Sequence, residues 1–342
     1  MEAARLPPPP AERTIMPAAH RPRRSVLAVP GSSDRMLAKA QTLASDAVFL
    51  DLEDAVAPSE KAAARARIVD ALATGDWRGR TVTVRINDAA SPLALDDLVS
   101  VVRGLAERGR LGVLDAIMLP KVVSPADVVW LDRTLGMLEA GLGHAFADAR
   151  RERADRGEPT AIGIEAQIED PGALLRAAEI VDASARVETL VYGPGDFMAA
   201  MRVPSLTIGD ADRAGGAGLL DAAFAQLAFV ARSRGIQVID GPYAVIADAD
   251  GLRTTAERAR AFGFDGKWVL HPAQIDVVNE VFTPSQEVFE RALRILEAYD
   301  AARLAGSGAV GAVLVDGEMV DEATRKMALV QAEIGRRAGL GG

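Results

Sequence analysis

The stretch Ala47–Lys61, AVFLDLEDAVAPSEK, reads as a buried strand that ends abruptly in acid. Its apolar run (Ala47, Val48, Phe49, Leu50) is short and bounded, the form of a parallel strand covered on both faces. Asp51, Glu53 and Asp54 then crowd together, and Pro58 and Ser59 lead into a helical pattern over residues 60–72. Strand, acidic tip and helix make one βα unit. Carboxylates this close repel one another, so the tip is either a solvated loop or a place where a cation, a donor or a catalytic task uses them.

Outward from this unit, short β-branched runs alternate with longer amphipathic stretches from Ser25 onward, the pattern of βα repeats around a parallel sheet. Strands are expected at 25–29, 47–50, 81–86, 116–119, 161–164, 189–192, 237–239 and 267–270. Helical patterns at 35–43, 60–72, 93–107, 125–142, 171–183, 219–234 and 251–262 separate them, each long enough to cross back over a sheet. Eight strands close a barrel, so the expected fold is a TIM (β/α)8 barrel with a small C-terminal lid segment. An open doubly wound sheet is disfavoured because no G-x-G-x-x-G follows a strand. The one match, Gly306, Gly308 and Gly311, follows a helix over 285–304 and reads as a flexible hinge.

The chain has 342 residues, 49% of them hydrophobic, enough for one large core or two ordinary ones. A formal net charge of −9 and the lack of an apolar run of spanning length point away from nucleic acid and membranes. A soluble, cytoplasmic protein acting on small molecules is expected. With no cysteine, disulfides, thiolate nucleophiles and cysteine-based metal sites are excluded. His20, His144 and His271 are the only histidines, which leaves oxygen ligands and a magnesium-type ion as the metal expectation. Residues 1–23, with the Pro7–Pro10 run and Arg21 and Arg23, read as a disordered tail. Residues 24–284 read as the barrel, and 285–342 as a C-terminal helix, hinge and lid.

In a barrel of this kind the active site lies beyond the C-terminal ends of the strands, so the strand tips form one list of neighbours. That list runs Pro30-Gly31-Ser32, then Asp51 with Glu53 and Asp54, Arg85 with Asn87, Lys121, Glu165, Asp196, Asp240 and His271. Glu165 and Asp196, on adjacent strands, are either helix-entry acids favoured by the dipole or two oxygen ligands for one hard cation. Arg85 either neutralises the acids after the second strand or offers a permanently charged fork for an oxyanion, with Glu53 or Asp54 to orient it; the two roles are compatible. Lys121 is either a Schiff-base amine or the partner of a neighbouring acid, and His271 either a general base or a helix-start residue. By composition Asp321 is a helix N-cap worth about 1 kcal/mol.

The segments RSVLAVPGS, FLDLEDAVAPSEK, VRIN, IMLPKV, GIEAQIED, YGPGDF, IDGPY and GFDGKWVLHPAQIDVVNEVF together resemble the HpcH/HpaI aldolase and citrate lyase beta-subunit family. The likeness is to its CoA-ester lyase branch and spans residues 24–328. It implies a TIM barrel, a magnesium ion (manganese as substitute), and reversible carbon–carbon cleavage of a 3-hydroxyacyl-CoA thioester to an acyl-CoA and a 2-oxo acid. By this resemblance Glu165 and Asp196 are the metal carboxylates, Arg85 the catalytic arginine, and Lys39 a coenzyme A contact. Ser32, Asp240 and Pro242 are grouped with Lys39 on the coenzyme side, and Glu53 with Arg85. Asp321, in GEMVD, matches an acid on a lid that closes over a neighbouring subunit, so a homo-oligomer, trimer or hexamer, is expected. Where many relatives read I-E-T-A-R-G, this chain reads Ile164-Glu165-Ala166-Gln167-Ile168-Glu169, a different pocket wall. A citryl-CoA lyase subunit served by an acyl carrier protein, a malate-synthase-like thioesterase and an inactive scaffold are the competing readings.

Overall fold

The computed structural model describes residues 21–210, 217–305 and 312–341. It divides after Thr283 into two compact units. In the first, β1 (Ser25–Pro30), β2 (Ala47–Asp51), β3 (Thr81–Arg85), β4 (Ala116–Leu119), β5 (Gly163–Ile168), β6 (Val187–Tyr192), β7 (Gln237–Asp240) and β8 (Gly266–Val269) lie side by side in chain order. All pairs are parallel, and β8 pairs with β1, which closes the barrel.

Closure explains why these strands are apolar on both faces. Val48 and Leu50 of β2 look outward into the core shared with the helices, beside Val82, Val84, Ile117 and Leu119. Ala47 and Phe49, alternating with them, look inward with Val26, Met118, Val191, Ile239 and Trp268. Phe49 and Trp268 meet edge to face at 4.5 Å between centroids and plug the barrel at mid-height.

Toward the strand starts the interior is charged. Arg23 donates from Nη2 to Glu165 Oε1 at 2.7 Å and Glu188 Oε1 at 2.6 Å, and from Nη1 to Gln237 Oε1 at 2.6 Å. Arg21 donates from Nη1 to Asp115 Oδ1 at 2.7 Å. Both arginines are buried, which corrects the expected tail boundary at residue 23: residues 21–23 belong to the barrel. The basic cluster reads as solvated only when its partners, Asp115 just before β4 and residues of β5 to β7, are out of view. Residues 1–20 lie outside the described residues.

Other differences are local. β5 begins at Gly163 rather than 161 and ends at Ile168 rather than 164. The helix expected over 171–183 is two short ones, Pro171–Leu175 and Ala177–Asp182. Helices His144–Asp155 and Pro194–Ala200 were not expected, and the second carries Asp196. The expected hinge at Gly306–Gly311 lies outside the described residues.

The second unit holds helices Gln286–Ala305 and Glu322–Arg337 and the hairpin β9 (Val313–Val315) and β10 (Glu318–Val320). Asp316 and Gly317 turn the hairpin with φ of 50° and 83°, the left-handed pair that a tight two-residue turn requires. Phe289, Ile295, Tyr299, Val315, Val320 and Ala332 pack into a core of their own. By its few apolar positions the terminal segment alone is too short for a core; helix Gln286–Ala305 supplies the missing half. No described helix is long and apolar enough to cross a membrane.

Removing one member of a buried ion pair leaves the other charge uncompensated. Arg23→Met is therefore expected to lower the unfolding free energy by about 3–5 kcal/mol in urea titrations. The double variant with Glu165→Leu should recover part of that loss; no recovery would mean that Arg23 acts through Glu188 and Gln237 instead.

Candidate active site

Asp51 and Arg85 end β2 and β3 as registered neighbours, and both side chains point into the barrel. Arg85 donates from Nε to Asp51 Oδ1 and from Nη2 to Oδ2, each at 2.7 Å. The same carboxylate accepts from the backbone amides of Glu53 at 2.9 Å and Ala55 at 3.0 Å, so its acceptor positions are filled. Below the pair, the guanidinium carbon stands 5.4 Å from the Phe49 ring centroid and 5.1 Å from that of Trp268. Burial disfavours the charge, but Asp51 outweighs it and holds Arg85 protonated. Only Nη1 is left over, 3.2 Å from Glu53 Oε2.

Glu53 is buried between Arg85 and the ammonium of Lys121, which meets its Oε1. Burial pushes the Glu53 carboxyl up, with Arg85 and Lys121 pulling the other way. Lys121 Nζ also lies 3.2 Å from Asp54 Oδ1 and 4.0 Å from Asp196 Oδ2. Its backbone sits at φ 50°, a conformation that a non-glycine residue adopts at a cost and that recurs at functional sites. Against the cost of burial, Glu53 and Asp54 hold its amine protonated beyond the ordinary lysine range, the opposite of what a Schiff-base nucleophile needs. Underneath, the buried Lys61 donates to the carbonyls of Leu52 at 2.7 Å and Glu53 at 2.8 Å and to Asn87 Oδ1 at 2.9 Å, fixing the acidic loop.

Glu165 is not at this end of the barrel. Its Oε1 accepts from Arg23 and, at 3.1 Å, from Thr83 Oγ1, near the strand starts. Because β5 runs on to Ile168, the acid at its tip is Glu169, two inward positions further along the same face. Glu169 Oε1 accepts the Lys121 backbone N–H at 2.6 Å and Oε2 accepts Gln167 Nε2 at 2.6 Å. Burial, opposed by the Lys121 amide and reinforced by the charge of Asp196, pushes its carboxyl up to about 7. Asp196 projects from the first turn of helix Pro194–Ala200 and is exposed. Gly193 makes that approach feasible: a Cβ there would lie 2.5 Å from Glu169 Oε2.

The other expected residues scatter. Asp240 is buried and paired with Lys267, its registered neighbour on β8, so it is already committed and leaves the coenzyme-contacting set. Burial pushes its carboxyl up, and Lys267 opposes this. Pro242 is buried in the loop after β7, Ser32 is partly buried in the loop after β1, and Lys39 is exposed on helix Asp34–Ala40. His271 starts a helical turn, its ring accepting the Ala273 N–H at 3.2 Å, which is the helix-start role. Asp321 caps helix Glu322–Arg337 through Thr324 N at 2.9 Å, and that bond holds its carboxyl below the ordinary range. Reading the residues of GIEAQIED two apart as one face would have placed Glu165, Gln167 and Glu169 in a single inward file. No local signal distinguishes Lys61 from a surface lysine.

The mouth thus gathers Glu53, Asp54 and Asp196 around the ammonium of Lys121, with Glu169 on its backbone amide and Arg85 engaged by Asp51 and Glu53. Hard oxygen donors with surplus negative charge fit a small divalent cation. Among the described residues no three such side chains form a closed cage, so a cation held by Glu169 and Asp196 would keep positions for water and a ligand.

Fold and site define a (β/α)8 barrel with an acidic, arginine-bearing mouth of hard oxygen donors, suited to metal-assisted chemistry on an anionic ligand. The profile of the HpcH/HpaI aldolase/citrate lyase family matches residues 24–272, and the chain belongs to that family. It is 36% identical over 340 residues to the L-malyl-CoA/beta-methylmalyl-CoA lyase of Cereibacter sphaeroides, covering 96% of this chain and 97% of the relative. With citrate lyase subunit beta of Escherichia coli K12 it shares 32% identity over 318 residues, 92% of this chain and 94% of that one. Among solved structures, protein CitE from Mycobacterium tuberculosis in complex with magnesium, acetoacetate and coenzyme A superposes with a TM-score of 0.64 at 29% identity, covering 94% of this chain and 99% of the other.

Glu165 on β5 and Glu169 just past its end make opposite predictions. Glu169→Gln is expected to weaken Mn2+ binding, followed by electron paramagnetic resonance, by more than the ~10–100-fold cost of losing an outer-shell partner, with the fold intact. Glu165→Gln should keep that affinity and lose stability in urea. The reverse pattern would return the cation to Glu165.

Proposed function

We propose that this chain is a magnesium-dependent lyase that reversibly splits a 3-hydroxyacyl-CoA of the malyl-CoA, methylmalyl-CoA or citramalyl-CoA type into an acyl-CoA and a 2-oxo acid. The observation that carries this reading is Arg85, locked by Asp51 on an aromatic pedestal with Nη1 left toward the acidic mouth. In cleavage the substrate hydroxyl loses its proton and its carbon becomes the carbonyl of the oxo acid. The bond between C2 and C3 breaks, its electron pair passes to the thioester as an enolate, and C2 then takes a proton. Arg85 stabilises the charge that grows on the thioester oxygen. Glu169 and Asp196 would hold the magnesium ion, which would supply Lewis-acid polarisation of the oxo-acid end of the substrate. Glu53 orients Nη1 and anchors Lys121.

Proton exchange is assigned to Asp321, whose carboxylate is exposed; its cap holds it below the ordinary range, so that bond must loosen for it to act as a base. Lys39 and Ser32 are assigned to coenzyme A, the ammonium of Lys39 suiting a phosphate. The second unit is read as a lid that completes the site of a neighbouring copy, in a cytoplasmic homo-oligomer, trimer or hexamer. Leu314 and Met319, opposite each other on the hairpin and each 76% exposed, give it an apolar face for that contact.

A panel of CoA thioesters, with glyoxylate, pyruvate and oxaloacetate for the reverse direction, read by mass spectrometry, tests the reading. Equal amounts of acyl-CoA and oxo acid are expected, lost with chelator and restored by magnesium or manganese. Release of free CoA with the acid would make it a thioesterase; turnover only of an acyl-carrier-protein thioester would make it a citrate lyase subunit; no turnover of any ester would leave a binding protein.

Arg85→Lys keeps the charge but not the bidentate grip on Asp51, so the turnover number should fall by about 10²–10³. A change confined to the Michaelis constant would make Arg85 a binding residue. For Asp321→Ala, turnover should fall by about 10²–10⁴ with metal binding kept. Mixing Asp321→Ala with Arg85→Ala subunits should rebuild some whole sites; a mixture that stays inactive while subunits exchange would mean that each lid serves its own barrel.

A further inference from the structure

Lys61 departs from two ordinary rules at once. It is 8% exposed, yet no carboxylate of the described residues pairs with it, although a buried charge is ordinarily paired with an opposite one. It also opens helix Lys61–Thr74, the end at which the helix dipole disfavours a cation. Its Nζ donates to the carbonyls of Leu52 and Glu53 and to Asn87 Oδ1, and three acceptors require three N–H bonds, so the group is an ammonium. The Asn87 acceptor is itself fixed. Asp97, fully buried on helix Ala94–Glu107, accepts the Asn87 backbone N–H at 2.9 Å and Nδ2 at 2.5 Å. Arg65, one turn along from Lys61, donates from Nε to the other Asp97 oxygen at 2.6 Å. Because a carboxylate only accepts, Asp97 keeps the amide nitrogen of Asn87 on its own side and turns Oδ1 to Lys61. The segment Leu52–Glu53 is thus held through both of its carbonyls, while the Glu53 side chain meets Arg85 Nη1 at 3.2 Å and the Lys121 ammonium. Working through carbonyl dipoles, Lys61 adds a cation beneath a loop crowded with acids and uses up none of their carboxylates.

We propose that Lys61 is a positioning residue for the cleavage reaction: it holds the Leu52–Glu53 backbone so that one Glu53 carboxylate spans Arg85 and Lys121, with Asn87 and Asp97 presenting the third acceptor. The assignment rests on the function proposed above. All three bonds of Lys61 go to the protein, so its effect passes through Glu53 and falls on turnover, not on substrate affinity.

Lys61→Met keeps most of the side chain's length and loses its charge. Steady-state kinetics of Lys61→Met, Glu53→Gln and the double variant, each checked for folding, read the effect. The turnover number of Lys61→Met should fall by about 10²-fold, the consequence of a misplacement of roughly 1 Å, with the Michaelis constant kept. In the Glu53→Gln background the same change should cost no more than about twofold, because residues that act as one unit are not additive. Should Lys61→Met fail to fold, Lys61→Cys provides the sole thiol of the chain, open to alkylation in urea before refolding. Treatment with 2-bromoethylamine restores the ammonium, and 1-bromopropane restores the length alone. Activity that returns with the first and not the second supports the assignment. Return with both, or with neither, overturns it, as do unchanged turnover of Lys61→Met, a loss confined to the Michaelis constant, and an equal loss in both backgrounds. Each of those results leaves the proposed function standing, whereas an unaltered protein that turns over no ester overturns both.

Discussion

A guanidinium gripped by a carboxylate at the rim of a closed barrel is what the mouth of this molecule is built on. Asp51 and Arg85 are the last residues of adjacent strands, registered opposite each other, and barrel alternation turns both inward. Burying two charges is costly unless geometry and extra hydrogen bonds compensate. Here the fork is bidentate, two backbone amides complete the carboxylate, and two rings support the guanidinium from below. With Asp51 saturated, Glu53 keeps only the leftover Nη1 of Arg85, at 3.2 Å, and it and Asp54 draw on a second cation. They find it in Lys121, one tip further round.

The result is a mouth that is well ordered and short of positive charge. Lys121 answers to Glu53, Asp54 and, at longer range, Asp196, while its own amide holds Glu169. Burial pushes both Glu53 and Glu169 up, the signature of carboxylates kept close for a purpose other than stability. A left-handed lysine backbone and an unmet glutamine oxygen lie in the same small region. Departures from ordinary local rules that converge on one end of a fold mark the place where binding compensates for them.

The charged layer at the opposite end has the contrasting character. Arg21, Arg23, Asp115, Glu165 and Gln237 are buried and bonded to one another, with the Phe49 and Trp268 rings between them and the mouth. Charge at the strand starts closes the barrel; charge at the strand ends is available for chemistry. Glu165 on β5 and Glu169 just past its end continue one inward file and fall on opposite sides of that division.

From the sequence alone, the barrel was legible, because strands buried on both faces must be continuous apolar runs and eight of them alternate with crossover helices. Arg85, Glu53 and Asp196 were legible as strand-tip residues for the same reason. What the chain could not reveal was the limit of β5: apolar and polar residues alternate through GIEAQIED, so its start and end are set by pairing with β4 and β6, not by its own composition. That pairing moved the tip acid from Glu165 to Glu169, and it committed Asp240 to Lys267 across β7 and β8. Arg23 and Lys61 likewise read as surface cations until residues distant in sequence surround them. Local pattern determines which segments become strands; which charge ends up where depends on partners brought from other strands, and only the closed tertiary structure brings them.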